Sequence, residues 1–444
     1  DGSIYIAGWF TGDFQNNTNT GLQGFVSKYD IDGNNEWVNI IDDYFEINSI
    51  STNSDGSIFL TGRNLGNGNA DRKLLIKKLS SDGELEWENN SKTSYLEGNE
   101  IVIGSDDSIY ITGEIDEGYS SDRHPDYVGG HGDAFIAKFD KDGNEEWLQV
   151  LGSNKWDYSS AITLGIDNSI YIAGETWGSF DGYNSGPHYT SAFLSKFSNS
   201  GEKKWTKVLS DDELDIKDLE TSKDGSIYIV GQRNNIDNVY GANPYISRYN
   251  FNGERIWTKN IGSFYDINDL EISYDNYLYI TGESYQSLGD TPVAKYNLDG
   301  INQWIEFLDL PGSDDGKELI IAENDIIYTA SNTFIDNGEG NQFDSYITKF
   351  KDTKRIEIVG TREIDILEGS KANEDFLGRD GDDLIDGYNG IDKAFYNSLE
   401  NYKFNFNPDI DDDGIKDRNL FIIKDNSPSG YGNSGIDYLK DIEI

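Results

Sequence analysis

The segment SIYIAG at residues Ser3 to Gly8 decides the fold, because six variants of it follow along the chain. They read SIFLTG, SIYITG, SIYIAG, SIYIVG, YLYITG and IIYTAS, and the central aromatic residues of all seven copies are Tyr5, Phe59, Tyr110, Tyr171, Tyr228, Tyr279 and Tyr328. The copies are 49 to 61 residues apart, which is typical of propeller or solenoid repeats. The chain therefore contains seven structural repeats.

Each repeat also contains a hairpin of constant length. A basic residue on a second strand is followed nine positions later by Trp37, Trp87, Trp147, Trp205, Trp257 or Trp304, with Ile358 in the seventh copy. Turns such as DIDGN and DKDGN supply the Asp, Asn and Gly that tight hairpins require. We therefore predict that these Trp residues are core between blades and that the DxDG segments are turns, not calcium loops.

A short apolar stretch between each Trp strand and the next copy gives four strands per repeat. Because no helical periodicity lies between the strands, the pattern predicts an all-β, seven-bladed β-propeller of four-stranded blades over residues 1–359. The first copy begins at its second strand, so we expect the chain to be a processed product or a fragment.

The propeller repeats resemble the bacterial SBBP family of seven-bladed β-propeller repeats. The resemblance rests on DGSIYIAG, GDAFIAKFDKDGNEEW and GETWGSFDGYNSG and covers all seven copies. It implies the fold and little about activity, because proteins with these repeats are mostly assigned no chemistry.

Residues 360–444 follow a different pattern. Gly360, Gly369, Gly378 and Gly387 mark nine-residue steps that follow G-G-x-G-x-D-x-U-x loosely. Such steps form a parallel β-roll in which carboxylates bind calcium. The predicted ligands are Asp365 with Asp383, and Glu374 with Asp392. The segment resembles the RTX, or hemolysin-type, calcium-binding repeats, which implies calcium-dependent folding and type I secretion.

A second calcium site is predicted in NPDIDDDGIKDRN. Asp409, Asp411, Asp413 and Asp417 occupy positions 1, 3, 5 and 9 of an EF-hand-like loop, and Gly414 occupies position 6. Position 12 is Leu420, so the bidentate Glu of that loop is absent and we expect reduced affinity. Ca²⁺ is the one cofactor that the sequence predicts.

Composition limits the function classes. The 81 acidic and 36 basic residues give a net charge of -45, which argues against nucleic acid and anionic membrane surfaces as partners. No Cys is present, so disulfides and thiolate chemistry are absent. No G-x-S-x-G or H-E-x-x-H motif and no long apolar run occurs, so we expect no membrane insertion and no acyl transfer through a Ser elbow.

Long segments rich in Tyr, Trp, Asn, Asp and Gly connect the second and third strands, and we place them on one face of the propeller. Trp9, Trp156 and Trp177 lie outside the hairpin register and are the predicted ligand-binding residues. We therefore predict a secreted or cell-surface protein, not an enzyme, that recognises a carbohydrate or protein ligand in a calcium-dependent way.

Two alternatives remain open. One is an extracellular polysaccharide hydrolase or lyase with its site at the propeller channel, which buried carboxylates at the channel would favour. The other is a self-assembling subunit of a surface layer or filament.

Overall fold

The structure is a computed structural model that describes most of the chain. It describes residues 2–11, 22–31, 33–43, 45–64, 73–91, 95–116, 127–180, 190–209, 214–233, 243–284, 291–308, 313–322, 326–336, 341–351 and the later strands named below. The chain divides into two compact units, Asp1–Phe350 and Lys351–Ile444. Among the described residues, no helix is long and apolar enough to span a membrane.

The first unit is a seven-bladed β-propeller, as predicted. Within the described residues, blades two to six are sheets of four antiparallel strands. Their strands are β4 (Phe45–Thr52), β5 (Ile58–Asn64), β6 (Lys73–Leu79) and β7 (Leu85–Asn90); β8 (Leu96–Ile103), β9 (Ile109–Asp116), β10 (Gly132–Phe139) and β11 (Glu145–Leu151); β12 (Asp157–Leu164), β13 (Ile170–Thr176), β14 (Ser191–Phe197) and β15 (Lys203–Val208); β16 (Leu214–Thr221), β17 (Ile227–Arg233), β18 (Asn243–Tyr249) and β19 (Arg255–Asn260); and β20 (Phe264–Ile272), β21 (Tyr277–Ser284), β22 (Thr291–Asn297) and β23 (Asn302–Leu308).

The first and seventh blades have three strands each within the described residues. They are β1 (Ile4–Thr11), β2 (Leu22–Tyr29) and β3 (Asn35–Asp43), and β24 (Ser313–Ala322), β25 (Ile326–Asp336) and β26 (Asn341–Lys351). Ile358, expected in the fourth strand of the seventh blade, lies instead on a strand that pairs with β29 of the second unit. Below, a blade's strands are called first to fourth, and the described strands of blade one are its second to fourth.

The Trp residues of the fourth strands pack between blades, which confirms the prediction. Each Trp contacts the aromatic residue of its own second strand, as Trp147 does Tyr110 with ring centroids 6.4 Å apart. Its other face meets the turn glycine of the next blade: a Cβ on Gly201 would lie 2.8 Å from the Trp147 ring. Glycine at φ +82° is therefore required twice, by the turn and by the ring.

The same contact links the last blade to the first. The Tyr110 hydroxyl donates to Asn199 Oδ1 of the next blade's turn at 3.0 Å, and the Tyr328 hydroxyl donates to the Ile31 carbonyl at 2.7 Å. Since Ile31 lies in the corresponding turn of blade one, the seventh blade packs on the first as each blade packs on the next.

The second unit contains short strands with a different pairing. They are β27 (Ile356–Val359), β28 (Ile366–Glu368), β29 (Glu374–Leu377), β30 (Leu384–Asp386), β31 (Lys393–Ala394), β32 (Tyr402–Phe406), β33 (Leu420–Asp425) and β34 (Ile436–Lys440). β27 pairs in parallel with β29, and β28 with β30. Both pairs join residues eighteen positions apart, as Ile366 with Leu384.

Candidate functional site

Two of the three predicted ligand-binding Trp residues meet in blade four. The rings of Trp156 and Trp177 are edge to face, with centroids 4.9 Å apart. The backbone N–H of Trp177 donates to the backbone carbonyl of Trp156 at 2.9 Å. Trp177 is 45% exposed. We call this pair the aromatic platform. Trp9 is similarly exposed, at 50%, but lies on β1 of blade one.

Two glutamates and a tyrosine adjoin the platform. The Trp156 indole N–H donates to Glu114 Oε1, and the Tyr158 hydroxyl donates to Glu175 Oε1 at 2.7 Å. Tyr158 also packs against Trp156, with ring centroids 6.1 Å apart. Glu114, Tyr158 and Glu175 form what we call the mouth triad.

The local strand geometry explains why these side chains converge. Glu114 and Glu175 each follow the glycine of a second strand, Gly113 and Gly174. A Cβ on Gly174 would lie 2.0 Å from the Tyr158 carbonyl oxygen, so only glycine lets the first strand cross this closely. The first strand is bulged beside this crossing, between Ser159 and Ala161. The triad therefore lies at the inner, long-loop end of blades three and four, which is the mouth of the channel.

Burial shifts the acidity of the mouth triad. It raises the pKa of Glu114 to about 7, and the charges of Asp116 and Glu97 add to this effect. Burial also raises the pKa of Glu175, with a further contribution from Asp215. The pKa of the Tyr158 hydroxyl rises through burial and through the charges of nearby carboxylates, Glu175 and Glu114 among them. Carboxyls that exchange protons near neutral pH are suited to acid–base chemistry.

Other acids at the mouth are paired with cations. Arg63 bridges Glu46 and Glu97, the latter at 2.8 Å. Lys217 lies 3.2 Å from Asp215 and 3.7 Å from Asp266. Glu114 and Glu175 differ from these acids because each accepts a hydrogen bond from a neutral side chain, an indole and a phenol. Glu175 also interacts with Asp215.

A second set of carboxylates lies on the first strands, deeper in the ring. We call Glu100, Asp218, Glu220, Asp269, Glu271 and Glu318 the channel carboxylates. Burial raises the pKa of Glu100, Asp218, Glu220, Asp269 and Glu271. The Glu318 side chain is more exposed, and its pKa is also raised. Other members of the set add to the rise: the charges of Asp269, Glu100 and Glu271 act on Glu318. Carboxylates from blades three, five, six and seven therefore face one another across the ring.

Several channel carboxylates hold neighbouring blades together. Asp218 Oδ2 accepts the Leu270 N–H of the next blade at 2.9 Å. Asp269 Oδ2 accepts the Leu319 N–H at 2.7 Å, and Glu100 accepts the Ile162 N–H in the same way. Within the described residues, no group of three or more His, Cys, Asp or Glu side chains is arranged to hold a metal ion. These carboxylates are therefore first of all caps for first-strand N–H groups.

The predicted calcium ligands are not placed by the structure. Asp365, Asp383, Asp392, Asp409, Asp411, Asp413 and Asp417 lie outside the described residues, and Glu374 is described only as the first residue of β29. The DxDG turns of the propeller are turns, as predicted: Asp140 Oδ1 accepts the N–H groups of Asp142 at 3.0 Å and Asn144 at 2.8 Å.

Comparison with known proteins shows the fold alone. The sequence matches no known protein family and no curated protein. Similar solved structures include the periplasmic gluconolactonase of Pseudomonas aeruginosa, at 11% identity, 78% and 99% coverage of this chain and that chain, and a TM-score of 0.49. A streptogramin B lyase is 15% identical, with 73% of this chain and 94% of that chain covered and a TM-score of 0.44. An ulvan polysaccharide lyase is 10% identical, with 69% of this chain and 83% of that chain covered and a TM-score of 0.43.

The prediction that the chain is not an enzyme is corrected by this comparison. It treated the propeller as a scaffold for binding, yet a gluconolactonase and two lyases are built on propellers. The fold therefore gives no ground for excluding catalysis. Sequence reasoning also missed Glu114, Tyr158 and Glu175. The signal that could have found them is their repeat position: each Glu directly follows the glycine of a second strand, and Tyr158 lies opposite Glu175 on the first strand.

Proposed function

We propose that the propeller hydrolyses a neutral polysaccharide at the channel mouth. The observation that carries the proposal is the mouth triad: glutamates from two adjacent blades accept hydrogen bonds from the Trp156 indole and the Tyr158 hydroxyl, beside the exposed Trp177. Tryptophan rings present the flat apolar surface on which sugar rings stack. A neutral polymer fits better than a polyuronate, because a net charge of -45 repels an anionic chain.

Glycoside hydrolysis requires one carboxylic acid and one carboxylate. Protonated Glu114 donates its proton to the glycosidic oxygen as the bond from that oxygen to the anomeric carbon breaks. Glu175 accepts a proton from the water whose oxygen bonds to the anomeric carbon, and Tyr158 orients Glu175 through its hydroxyl. The products are two shorter sugar chains, and the enzyme returns to its starting state after one proton moves from Glu175 to Glu114.

The test is reducing-end release from a panel of neutral glucans, xylans and mannans, with polyuronates for comparison. We expect Glu114→Gln and Glu175→Gln to lower kcat by at least about a hundredfold with little change in KM. Trp177→Ala should raise KM, whereas Trp9→Ala, at a similarly exposed tryptophan in blade one, should not. Full activity in either Gln variant would overturn the mechanism, and activity on polyuronates alone would overturn the substrate class.

A second proposal concerns residues 360–444, which we infer bind Ca²⁺ and support a calcium-dependent recognition role outside the cell or at its surface. The parallel pairing of strands eighteen residues apart supports it, because that offset equals two of the nine-residue steps seen in the sequence. The proposed ligands remain Asp365, Glu374, Asp383 and Asp392 and the Asp409, Asp411, Asp413 and Asp417 loop. The SBBP and RTX resemblances and a carbohydrate or protein partner belong to the same proposal.

Elemental analysis and calorimetry of the full chain test the calcium proposal. We expect bound calcium and a melting transition that chelator moves to lower temperature. Asp383→Asn combined with Asp392→Asn should remove part of the calcium and leave polysaccharide hydrolysis unchanged. A chain without calcium, whose melting ignores chelator, would contradict this proposal. Ordered assemblies in electron micrographs would instead favour the surface-layer alternative.

A further inference from the structure

Two fully buried aspartates lie beside the aromatic platform: Gly132, which precedes Asp133, pairs with Trp156, and Asp157 follows Trp156. Asp133 is the second residue of the third strand of blade three, Asp157 begins the first strand of blade four, and both are 0% exposed. Asp157 pairs with Thr176, the second residue after the second-strand glycine. In blades two, three and six, the residue at the same repeat position is buried and apolar: Phe45, Leu96 and Phe264. A carboxylate thus replaces a core residue in blade four, which is costly unless it is compensated.

Each aspartate uses one oxygen and leaves the other without a partner. Asp133 Oδ2 accepts the Val128 N–H at 2.6 Å, and Asp157 Oδ2 accepts the Ser153 N–H at 2.6 Å and the Ser153 hydroxyl at 2.8 Å. Within the described part of the chain, Asp133 Oδ1 and Asp157 Oδ1 are buried without a hydrogen-bond partner. Buried unpaired carboxylate oxygens are rare in folded proteins.

The two carboxylates both contact one short segment, residues 152–153. A Cβ on Gly152 would lie 1.9 Å from Asp133 Oδ1, and the next residue, Ser153, donates to Asp157. The charge of Asp157 acts on Asp133, and the other groups that act on the two carboxyls are neutral donors: the backbone N–H groups of Val128, Gly129 and Ser153, and two hydroxyls. Two adjacent buried negative charges call for a cation.

We propose that Asp133 and Asp157 bind one divalent cation beside the aromatic platform, and that this cation is calcium. The donors are carboxylate oxygens, which suit hard cations, and calcium tolerates irregular coordination that magnesium does not. The ion fixes the segments 127–132 and 152–156, of which the second carries Trp156. This site is separate from the proposed ligands of residues 360–444 and does not depend on the proposed hydrolysis.

Terbium luminescence and ion counting in the full chain test the site. Terbium replaces calcium and emits when a nearby tryptophan is excited, and residues 305–444 contain no tryptophan. We expect sensitised emission that calcium displaces. Trp156→Phe combined with Trp177→Phe should lower this emission several-fold without changing the number of bound calcium ions.

Asp133→Asn and Asp157→Asn give opposite results for the two ways of neutralising the charges. If an ion is bound, each variant has one calcium fewer per chain, binds terbium at least about tenfold more weakly and melts at lower temperature in calcium. If the carboxyls are neutralised by protons instead, the neutral Asn variants melt higher than the wild type at neutral pH and keep every ion, which overturns the proposal. Asp142→Asn, at an exposed turn residue with the same change in charge, is the matched control and should leave all three readouts unchanged.

Discussion

Replacing the turn glycine of blade three tests whether the tryptophans hold adjacent blades together. Gly143 has φ +80°, and a Cβ there would lie 2.7 to 3.0 Å from three atoms of the Trp87 ring. Gly33 is the corresponding residue of blade one, with φ +83°, and no described atom lies within 4 Å of its Cβ position. The two glycines therefore share the backbone requirement and differ in the ring contact.

The expected magnitudes follow from this difference. Gly33→Ala costs about 1 to 2 kcal/mol, because alanine is strained in the left-handed region. Gly143→Ala carries the same strain and in addition displaces the Trp87 ring, which costs about 1 to 3 kcal/mol more, as overpacking of a filled core does. For a unit of about 350 residues, the additional cost corresponds to a melting temperature lower by about 1 to 4 °C.

Differential scanning calorimetry of both variants and the wild type measures the effect, with the transition of the propeller resolved from that of residues 351–444. Gly143→Ala should melt below Gly33→Ala, and Trp87→Phe should recover part of the loss in a Gly143→Ala background by freeing space. Equal melting temperatures for the two alanine variants would refute the argument, since the strain term alone would then account for both.

Three further predictions concern single contacts. Glu114→Gln should flatten the pH dependence of stability, because folding raises the pKa of this carboxyl from 4.5 to about 7. The free energy of unfolding of the wild type should therefore fall by up to about 3 kcal/mol as pH rises from about 4.5 through 7. Urea unfolding at several pH values should show no such fall for the Gln variant. Asp269→Ala should cost about 1 to 3 kcal/mol in thermal unfolding at pH 6, because it leaves an inner-strand N–H without its acceptor. Tyr328→Phe removes the 2.7 Å hydrogen bond to Ile31 between the last and first blades and should lower the free energy of unfolding by about 0.5 to 1.5 kcal/mol, whereas Tyr5→Phe, whose bond is 3.4 Å long, should have a smaller effect.

The propeller could be predicted from the sequence because its information is local and repeated. The nine-residue distance from Lys138 to Trp147 fixes one hairpin, and the strands pair these two residues directly, with a register shift at the next position. The same pattern predicts that blade one begins at its second strand, whereas the number of strands in blade seven could not be predicted in this way. It depends on what Ile358 pairs with, and that is a long-range choice between β26 and β29.

The site was predicted only in part, for a different reason. Trp156 and Trp177 were identified because tryptophan is rare outside the hairpin register. Glu114 and Glu175 were not identified because 81 acidic residues give no contrast between an exposed carboxylate and a buried one. Burial depends on which segment packs over the side chain, as Trp156, the residue before β12, does over Glu114. That contact joins residues 42 positions apart.

The hydrogen-bonding partners separate carboxylates that stabilise the ring from those available for chemistry. Asp218 and Asp269 accept backbone N–H groups of the next blade, so moving either one toward a substrate would leave a buried donor unpaired. In blade four the corresponding residue is Ala161, which has no carboxylate to cap the Leu219 N–H of blade five. That N–H donates instead to Asp218 Oδ1 at 2.7 Å. The first-strand N–H is therefore capped even where the preceding blade supplies no carboxylate. Glu114 and Glu175 cap no backbone N–H group in this way, because their hydrogen-bonding partners are side chains. Proton transfer at these two carboxyls therefore leaves the backbone hydrogen bonds of the propeller intact.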